Sequence, residues 1–493
     1  MPTRRLLRLL AAALALSAAA ASAARAAGDL ETGIADDAAV LEAPDPARAA
    51  QTVAEWRTIG VDNVRLFAQW GQISPVPSDR RAPAGFDPAD PASPGYDWSA
   101  LDRAVALVRA AGMTVTLSVT GPGPLWATAN PGAGNTRLNP VPDLFGRFAR
   151  AVALRYGAQV DRYILWNEPN LPLWLQPQFT CRGRSCTPAS PHVYRRLVRA
   201  AAPAIHTADP AARVLVGALA PSGQNARSRN AIMRPLTFLR ALGCVNRRAR
   251  PDRRGPCRGF RPAAAEGLAY HPHGVRRAPD VPATQRDDAG LADLPRLEAL
   301  LDAIQRAGGL RNTLGRTRRF DLYLTEYGYQ TNPPDRFAGV RPARQAAWLQ
   351  QGAYLAWRDP RVRNLTQYVW RDERAGGGGA GWQSGLRFAD DRPKPALRSF
   401  PQPFWADRTV GRRAARLWGQ VRPGGARTVA VQRATPGSGR WTTVRTLRTS
   451  ARGVFALRVA VTRRADYRFT WRPSPGAALR ASDARRVAPA ARR

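Results

Sequence analysis

Tyr163–Asn170 reads YILWNEPN and Leu322–Tyr329 reads LYLTEYGY. Each opens as a short apolar and aromatic run, the composition of a strand buried on both faces, and stops at a carboxylate, Glu168 or Glu326. A structural residue in that place is normally apolar or a turn former, so each charge marks a strand end with another task. Comparable runs lie at Glu31–Asp36, Asn63–Phe67, Thr114–Val119, Val214–Leu219, Gly267–His271 and Thr366–Trp370. With Tyr163–Trp166 and Leu322–Thr325 the runs number eight, and the two carboxylates end the fourth and the seventh. Helical patterns separate most of them. Leu101, Ala104, Val105 and Val108 recur at i, i+3, i+4, i+7 within 99–111, and Leu294, Leu297, Leu301 and Ile304 form one stripe within 293–307. Gly112 and Gly308 supply the C-terminal stops. Strand–helix alternation implies a parallel sheet with right-handed crossovers. Eight such units over about 370 residues predict an α/β fold, a (β/α)8 TIM barrel with long loops spanning 28–405. A doubly wound open sheet is the alternative, but no GxGxxG opens a helix after the first strand.

Beyond residue 410 the pattern changes. Arg427–Arg433, Trp441–Leu447, Val454–Val461 and Tyr467–Trp471 read as strands separated by Pro/Gly/Ser turns, which predicts a small all-β, sandwich-like module over 410–475. The Ala/Arg/Pro-rich stretch 476–493 is expected to be disordered. At the other end, 1–27 has the form of a secretory signal peptide. Arg4, Arg5 and Arg8 precede the apolar run Leu9–Ala20, and small-residue cleavage sites follow. The run is shorter than the ~20 residues that span a bilayer, so the cleaved chain is expected to be extracellular, without membrane insertion, and monomeric. Four cysteines remain in an exported chain, which favours disulfides over free thiols. Three pairings are possible. Cys181–Cys186 and Cys244–Cys257 are preferred because each closes a short Arg/Gly/Pro-rich loop. A zinc site is the weaker alternative, since no CxxC spacing exists.

The 493 residues carry a formal charge of +39, with 75 Lys+Arg against 36 Asp+Glu. Lys394 is the one lysine; the remaining basic residues are arginines dispersed along the chain. Clustered basic residues would suggest a polyanion partner. Dispersed arginine amid abundant Ala, Pro and Gly reads instead as compositional background, and no nucleic-acid partner is expected. Acidic usage is more telling. Glu occurs eight times, at positions 31, 42, 55, 168, 266, 298, 326 and 373, so two glutamates at barrel strand ends stand out.

Chemistry in a (β/α)8 barrel sits at the C-terminal ends of the strands. Two facing carboxyl groups there are what glycosidic cleavage needs, one giving a proton to the leaving oxygen and one attacking the anomeric carbon. Asn167, beside Glu168, is placed to donate to a sugar 2-hydroxyl. Asn167-Glu168-Pro169 on strand four and Thr325-Glu326-Tyr327-Gly328 on strand seven resemble clan A glycoside hydrolases, which include cellulase-like and β-xylosidase-like retaining families. The resemblance covers about residues 30 to 405. It implies a (β/α)8 barrel, Glu168 as acid/base, Glu326 as nucleophile, a carbohydrate substrate and no cofactor. It also implies that Arg65, ending strand two, keeps Glu326 ionised, and that Trp370, ending strand eight, forms an aromatic floor under the sugar. His271 and His273 in YHPHG match the family's strand-six motif, except that His273 stands where a tyrosine usually meets the nucleophile. Trp70, Trp126, Trp174 and Trp382 lie in predicted loops after strands two, three, four and eight, where aromatic faces can stack on sugar rings. Gly376–Gly379 is not read as a phosphate loop, because no GK[ST] follows. These features predict a secreted retaining glycoside hydrolase. A non-catalytic carbohydrate-binding protein on a degenerate barrel is the alternative.

Overall fold

The computed structural model describes residues 30–374, 381–408 and 413–489; the signal-like segment 1–27 and Gly376–Gly379 lie outside them. Eight parallel strands close into a barrel in chain order: β1 (Glu31–Ala35), β2 (Asn63–Gln69), β3 (Thr114–Thr120), β4 (Arg162–Leu165), β5 (Val214–Leu219), β6 (Gly267–Tyr270), β7 (Asp321–Tyr327) and β8 (Val362–Tyr368), which pairs back onto β1. All eight runs expected from sequence are barrel strands. Helices follow them as α1 (Pro46–Thr58), α2 (Ser99–Ala110), α3 (Pro142–Tyr156), α4 (Ser190–Ala208), α5 (Pro235–Leu242), α6 (Leu294–Arg306), α7 (Pro342–Arg358) and α8 (Pro395–Ser399). All of these except α2 carry a proline at their first or second position. Proline suits that place because its fixed φ is helical and its missing N–H has no intrahelical partner there. The stripes expected on α2 and α6 are their buried faces.

Two backbone irregularities interrupt the ladder near the C-terminal ends of the strands. On β7 the register against β8 runs Leu324↔Leu365 and then Tyr327↔Gln367, so an extra residue is accommodated around Thr325 and Glu326. On β5 the register against β6 shifts between Gly217 and Leu219, where Gly217 and Ala218 both have positive φ. Bulges of this kind bend a strand and re-aim its side chains.

The C-terminal module has two antiparallel sheets. One is β9 (Phe404–Asp407), β10 (Ala414–Gln420) and β13 (Val454–Ala460); the other is β11 (Thr428–Ala434), β12 (Thr442–Arg448) and β14 (Ala465–Trp471), extended by β15 (Arg480–Ala481) and β16 (Arg485–Val487). Phe404, Leu417, Val429, Phe455 and Phe469 belong to its own core. The sequence-based boundaries need two corrections. The module begins at Phe404, before residue 410. The tail is ordered through 489, because β15 and β16 pair with the free edge of β14 and bury Val487. The module packs on α7: Phe404 N–H donates to Gln350 Oε1 at 3.1 Å, Tyr354 OH donates to Asp407 Oδ2, and Trp418 lies 5.9 Å from Trp357.

Both preferred cystine pairs are present, Cys181–Cys186 and Cys244–Cys257. All four thiols are thereby used, so zinc ligation by cysteine is excluded. Among the described residues no helix is long and apolar enough to cross a membrane.

Candidate active site

Glu168 and Glu326 meet at the C-terminal mouth of the barrel. One carboxylate oxygen from each, and one ring nitrogen from each of His271 and His273, all lie within 4.8 Å of one another. The backbone that delivers Glu168 is unusual. Trp166 (φ 69°) and Glu168 (φ 37°) both occupy the left-handed region, which non-glycine residues rarely adopt without a functional reason. The conformation is over-determined by neighbours. Trp166 N–H donates to Val119 O at 2.8 Å and Glu168 N–H to Ala218 O at 3.0 Å. Asn170, fully buried, bridges Ala220 and Met233 with Nδ2 and accepts from Ala220 N–H at 3.0 Å. The Trp166 ring lies so near Gly121 that a Cβ there would come within 2.3 Å of it, so glycine is required by close approach. Glu326 is re-aimed by the β7 bulge.

Arg65 organises the other side. Buried to 2% exposure, its guanidinium pairs with Glu326 Oε1, donates from Nη2 to Asn167 Oδ1 at 2.7 Å and from Nε to Ser118 Oγ at 2.7 Å. The Phe67 ring lies 4.8 Å from it. His273 Nε2–H donates to Glu326 Oε2 at 3.0 Å, so the histidine makes the contact that its position in the motif suggested for a tyrosine. His271 Nδ1 lies 3.1 Å from Glu168 Oε1 and 3.5 Å from Glu326 Oε2, and its Nδ1–H tautomer points a donor at both carboxyl groups.

These surroundings split the two acids. Burial, and then the charge of Glu326, push the Glu168 carboxyl up to about 8. Burial acts on Glu326 in the same direction, but the His271 ring, the Arg65 guanidinium and the His273 donor outweigh it and hold Glu326 well below the usual carboxylate range. Burial pushes His271 down to about 3, so at neutral pH it is an uncharged donor. At pH 7 the pair is therefore one protonated acid beside one ionised carboxylate. Two histidines and two carboxylates could in principle hold a metal ion. The guanidinium already fixed on Glu326 opposes a cation there, and its charge stands in the same place.

The aromatic residues sort differently from expectation. Trp174 is half-buried and packs edge-on against Phe67 at 5.7 Å. Trp382 lies 4.8 Å from the His273 ring at a 31° tilt, and Tyr368 stands 5.2 Å from Trp382. Trp370 is not at the site. It is buried to 1%, packs edge-on against Trp56 of α1 at 6.4 Å, and its N–H is held by Asp36 Oδ2 at 2.8 Å. The strand ends at Tyr368, so the pleat does not carry inward orientation as far as 370. Tyr368 occupies the place expected for Trp370, and the half-buried aromatic at the true strand end was the missed signal. Trp126 and Trp70 are core residues as well. Trp126 packs 6.5 Å from Trp70 and donates to Pro75 O at 3.2 Å, while Trp70 stacks on Phe148 of α3 at 5.8 Å. Phe67 and Ser118 are site residues that sequence reading passed over.

No protein-family model matches the sequence, and no curated protein does. Solved structures do match it.

The fold is similar to that of a glycoside hydrolase.

A family 39 glycoside hydrolase from the gut symbiont Bacteroides cellulosilyticus WH2 is 14% identical, with a TM-score of 0.50, over 89% of this chain and 82% of that one. Xylanase 10B from Thermotoga petrophila RKU-1, solved with xylobiose, is 13% identical with a TM-score of 0.44 over 75% and 92% of the two chains. Virulence factor SghA from Agrobacterium tumefaciens is 15% identical with a TM-score of 0.45 over 76% and 96%. At these identities the likeness is one of fold, and the first of the three extends beyond the barrel.

Proposed function

We propose that this chain is a secreted, retaining glycoside hydrolase that cleaves β-O-glycosidic bonds of an oligo- or polysaccharide. The observation that carries the reading is the pair itself: a protonated Glu168 and an ionised Glu326 with oxygens within 4.8 Å. Retaining enzymes hold their carboxyl groups ~5–5.5 Å apart, whereas inverting ones leave roughly 6.5–9.5 Å for a water. In the first step a Glu326 oxygen forms a bond to the anomeric carbon as the glycosidic bond breaks, and Glu168 transfers its proton to the departing oxygen. In the second, Glu168, now ionised, takes a proton from water. The water oxygen bonds to the anomeric carbon and Glu326 is released. Asn167, held by Arg65, is positioned for the sugar 2-hydroxyl, and Trp174, Tyr368 and Trp382 offer faces for the ring. The steps need no redox chemistry and no group beyond these side chains and water.

Export is supported by the signal-like segment 1–27 and the two disulfides. The reading as a degenerate, non-catalytic barrel rested on the absent strand-six tyrosine and the absent strand-three histidine, and the His273–Glu326 contact answers the first of these. Aryl β-glycoside hydrolysis tests the proposal. Glu326→Ala is expected to reduce turnover to background. Glu168→Gln is expected to cost about 10²–10⁴-fold with poor leaving groups and far less with dinitrophenyl glycosides, which need no proton. Unchanged turnover in Glu326→Ala, or ligand binding by the wild-type chain with no turnover across a panel of glycosides, refutes it.

A further inference from the structure

The arginine excess, read as background from sequence, is locally concentrated. A cavity of about 640 Å³ opens on the rim of the barrel that bears Glu168. The Cys181–Cys186 hairpin, the first turns of α4 and the loop between β5 and α5 wall it. Arg182, Arg196 and Arg229 line it with Thr180, Thr187 and His192, and no Asp or Glu is among the lining residues. All three arginines are exposed, whereas Arg234, Arg240 and Arg361, which are half-buried, are matched to Asp288, Asp287 and Asp302. Here, among the described residues, the three guanidinium groups make no ion pair, side-chain hydrogen bond or ring contact. Beneath them the positive charge continues. Arg195 is buried to 6% and donates to Leu242 O at 3.1 Å and to His192 Nδ1 at 3.0 Å. Burial, and then Arg195 and Arg196, push His192 down to about 4, so it contributes a neutral ring. The basin thus presents three uncommitted donor forks over a floor with no counter-charge, a geometry suited to bidentate capture of carboxylate or sulfate.

Its connection to the catalytic loop is direct. Gln178, fully buried, donates from Nε2 to Pro169 O at 3.0 Å, the carbonyl of the residue after Glu168. Its Oε1 accepts from Ser190 Oγ at 3.0 Å at the start of α4, and its N–H donates to Arg229 O at 2.9 Å. The basin walls and the Glu168 turn are therefore held as one unit. The volume falls in the range of roughly 300–1,000 Å³ typical of ligand sites, too large for a lone inorganic ion, and the threonine hydroxyls suit sugar hydroxyls. We propose that this basin is a distal substrate site that takes the carboxylate or sulfate groups of an acidic saccharide chain lying across the β4–β5 rim. Its role as a substrate site rests on the glycosidase reading, whereas anion recognition rests on the basin alone.

The test is calorimetric binding to the signal-free chain at about 0.15 M ionic strength, where surface fields are screened within ~8 Å. The probes are a uronate hexasaccharide, a sulfated hexasaccharide, a neutral hexasaccharide and hexathymidylate. The variants are Arg182→Gln/Arg196→Gln/Arg229→Gln and, as a control with the same change in net charge, Arg440→Gln/Arg445→Gln/Arg448→Gln on the exposed edge of the β-module. The basin variant is expected to bind at least one acidic saccharide about tenfold or more weakly, as loss of one charge-assisted hydrogen bond implies, with the control within about twofold of the parent. The uronate and sulfate arms decide which anion is taken. Hydrolysis of a small neutral aryl β-glycoside is expected to be unchanged in both variants. Equal losses in basin and control variants, acidic chains binding no tighter than the neutral one, or hexathymidylate binding with the same sensitivity would each overturn the proposal. No hydrolysis of any glycoside, with saccharide binding intact, would sink the glycosidase reading and leave the anion site standing.

Discussion

Replacing Arg65 with methionine keeps most of the side-chain volume and removes one buried charge from beside Glu326. At roughly 4 Å between charge centres and an effective dielectric of ~20, that charge is worth about 4 kcal/mol to the ionised carboxylate, which is about 3 pKa units. Glu326 should therefore rise from well below the usual carboxylate range into it, since burial is then opposed only by the two histidines. Glu168 already titrates near 8 because of burial and the neighbouring charge, so the two groups would compete for one proton. The assay is the pH dependence of kcat/KM on an aryl β-glycoside between about pH 4 and 9. The parent should show a basic limb near 8 and no acid limb in the accessible range. In Arg65→Met the acid limb should enter that range, narrowing the profile to a bell and lowering its maximum by several-fold. Arg65→Lys, which keeps charge but loses the fork to Asn167 and Ser118, should leave the acid limb out of range while still reducing the maximum. A thermal melt of each variant separates this from misfolding. An acid limb unmoved in a folded Arg65→Met protein would refute the assignment of Glu326's charge state to Arg65.

Glu168→Gln should raise stability at alkaline pH. The folded carboxyl holds its proton to about 8 and the unfolded one only to about 4.5, so the folded state binds more protons in between and parent stability falls as pH rises through that window. Chemical denaturation at pH 5 and pH 9 should show the variant's gain, on the order of a few kcal/mol, only at the higher pH, and an equal gain at both would contradict the raised value. Trp370→Ala should cost about 3–5 kcal/mol of stability with kcat/KM largely retained, whereas Tyr368→Ala should raise KM with a small stability cost, both read by melts and kinetics. Lys394→Met should destabilise by about 3–5 kcal/mol in denaturant titrations. Lys394, fully buried with Asp372, donates at 2.7 Å to that carboxylate, at 2.8 Å to Thr331 Oγ1 and at 2.9 Å to Gln383 O. Its loss leaves the acid unpaired in the loop that carries Trp382.

What the sequence made legible was whatever is set locally. The eight barrel strands could be read because each is a short apolar run between helical periods, and Glu168 and Glu326 because each breaks such a run at its end. Arg65, Asn167 and the His271–His273 pair followed from strand position and motif. The cystines followed from loop length. Trp370 was misplaced because the strand ends two residues earlier, and a period-2 pattern reports facing only while the pleat lasts. Trp126 and Trp70 face the protein interior for reasons of tertiary packing against Phe86, Phe145 and Phe148, which no window of sequence contains. The final strands were hidden by composition. In 485–487 two arginines precede the one apolar residue that matters, Val487, whose burial depends on the edge of β14 being free to receive it.

The two bulges, the positive-φ residues and the choice of Arg65 from among many arginines form one physical problem. Bringing two buried carboxyl groups within 4.8 Å is unfavourable by charge and by desolvation, and a regular strand would point them elsewhere. The strained turn at Trp166 and Glu168, of order 1–3 kcal/mol for each such residue, persists because Asn170 and the β5 carbonyl of Ala218 leave it no alternative. The charge problem is met asymmetrically. Arg65 and His273 hydrogen-bond Glu326, while the donor facing Glu168 is the neutral His271, which also faces Glu326. Symmetric stabilisation would ionise both groups and leave no proton to give. The asymmetry converts a destabilising contact into a donor–acceptor pair of opposite protonation, and the same arginine that sets it also anchors Asn167 beside the acid. On the proposed glycosidase reading, charge state and substrate orientation at this site are coupled through one side chain, so changes at Arg65 should never separate cleanly into an effect on pH alone.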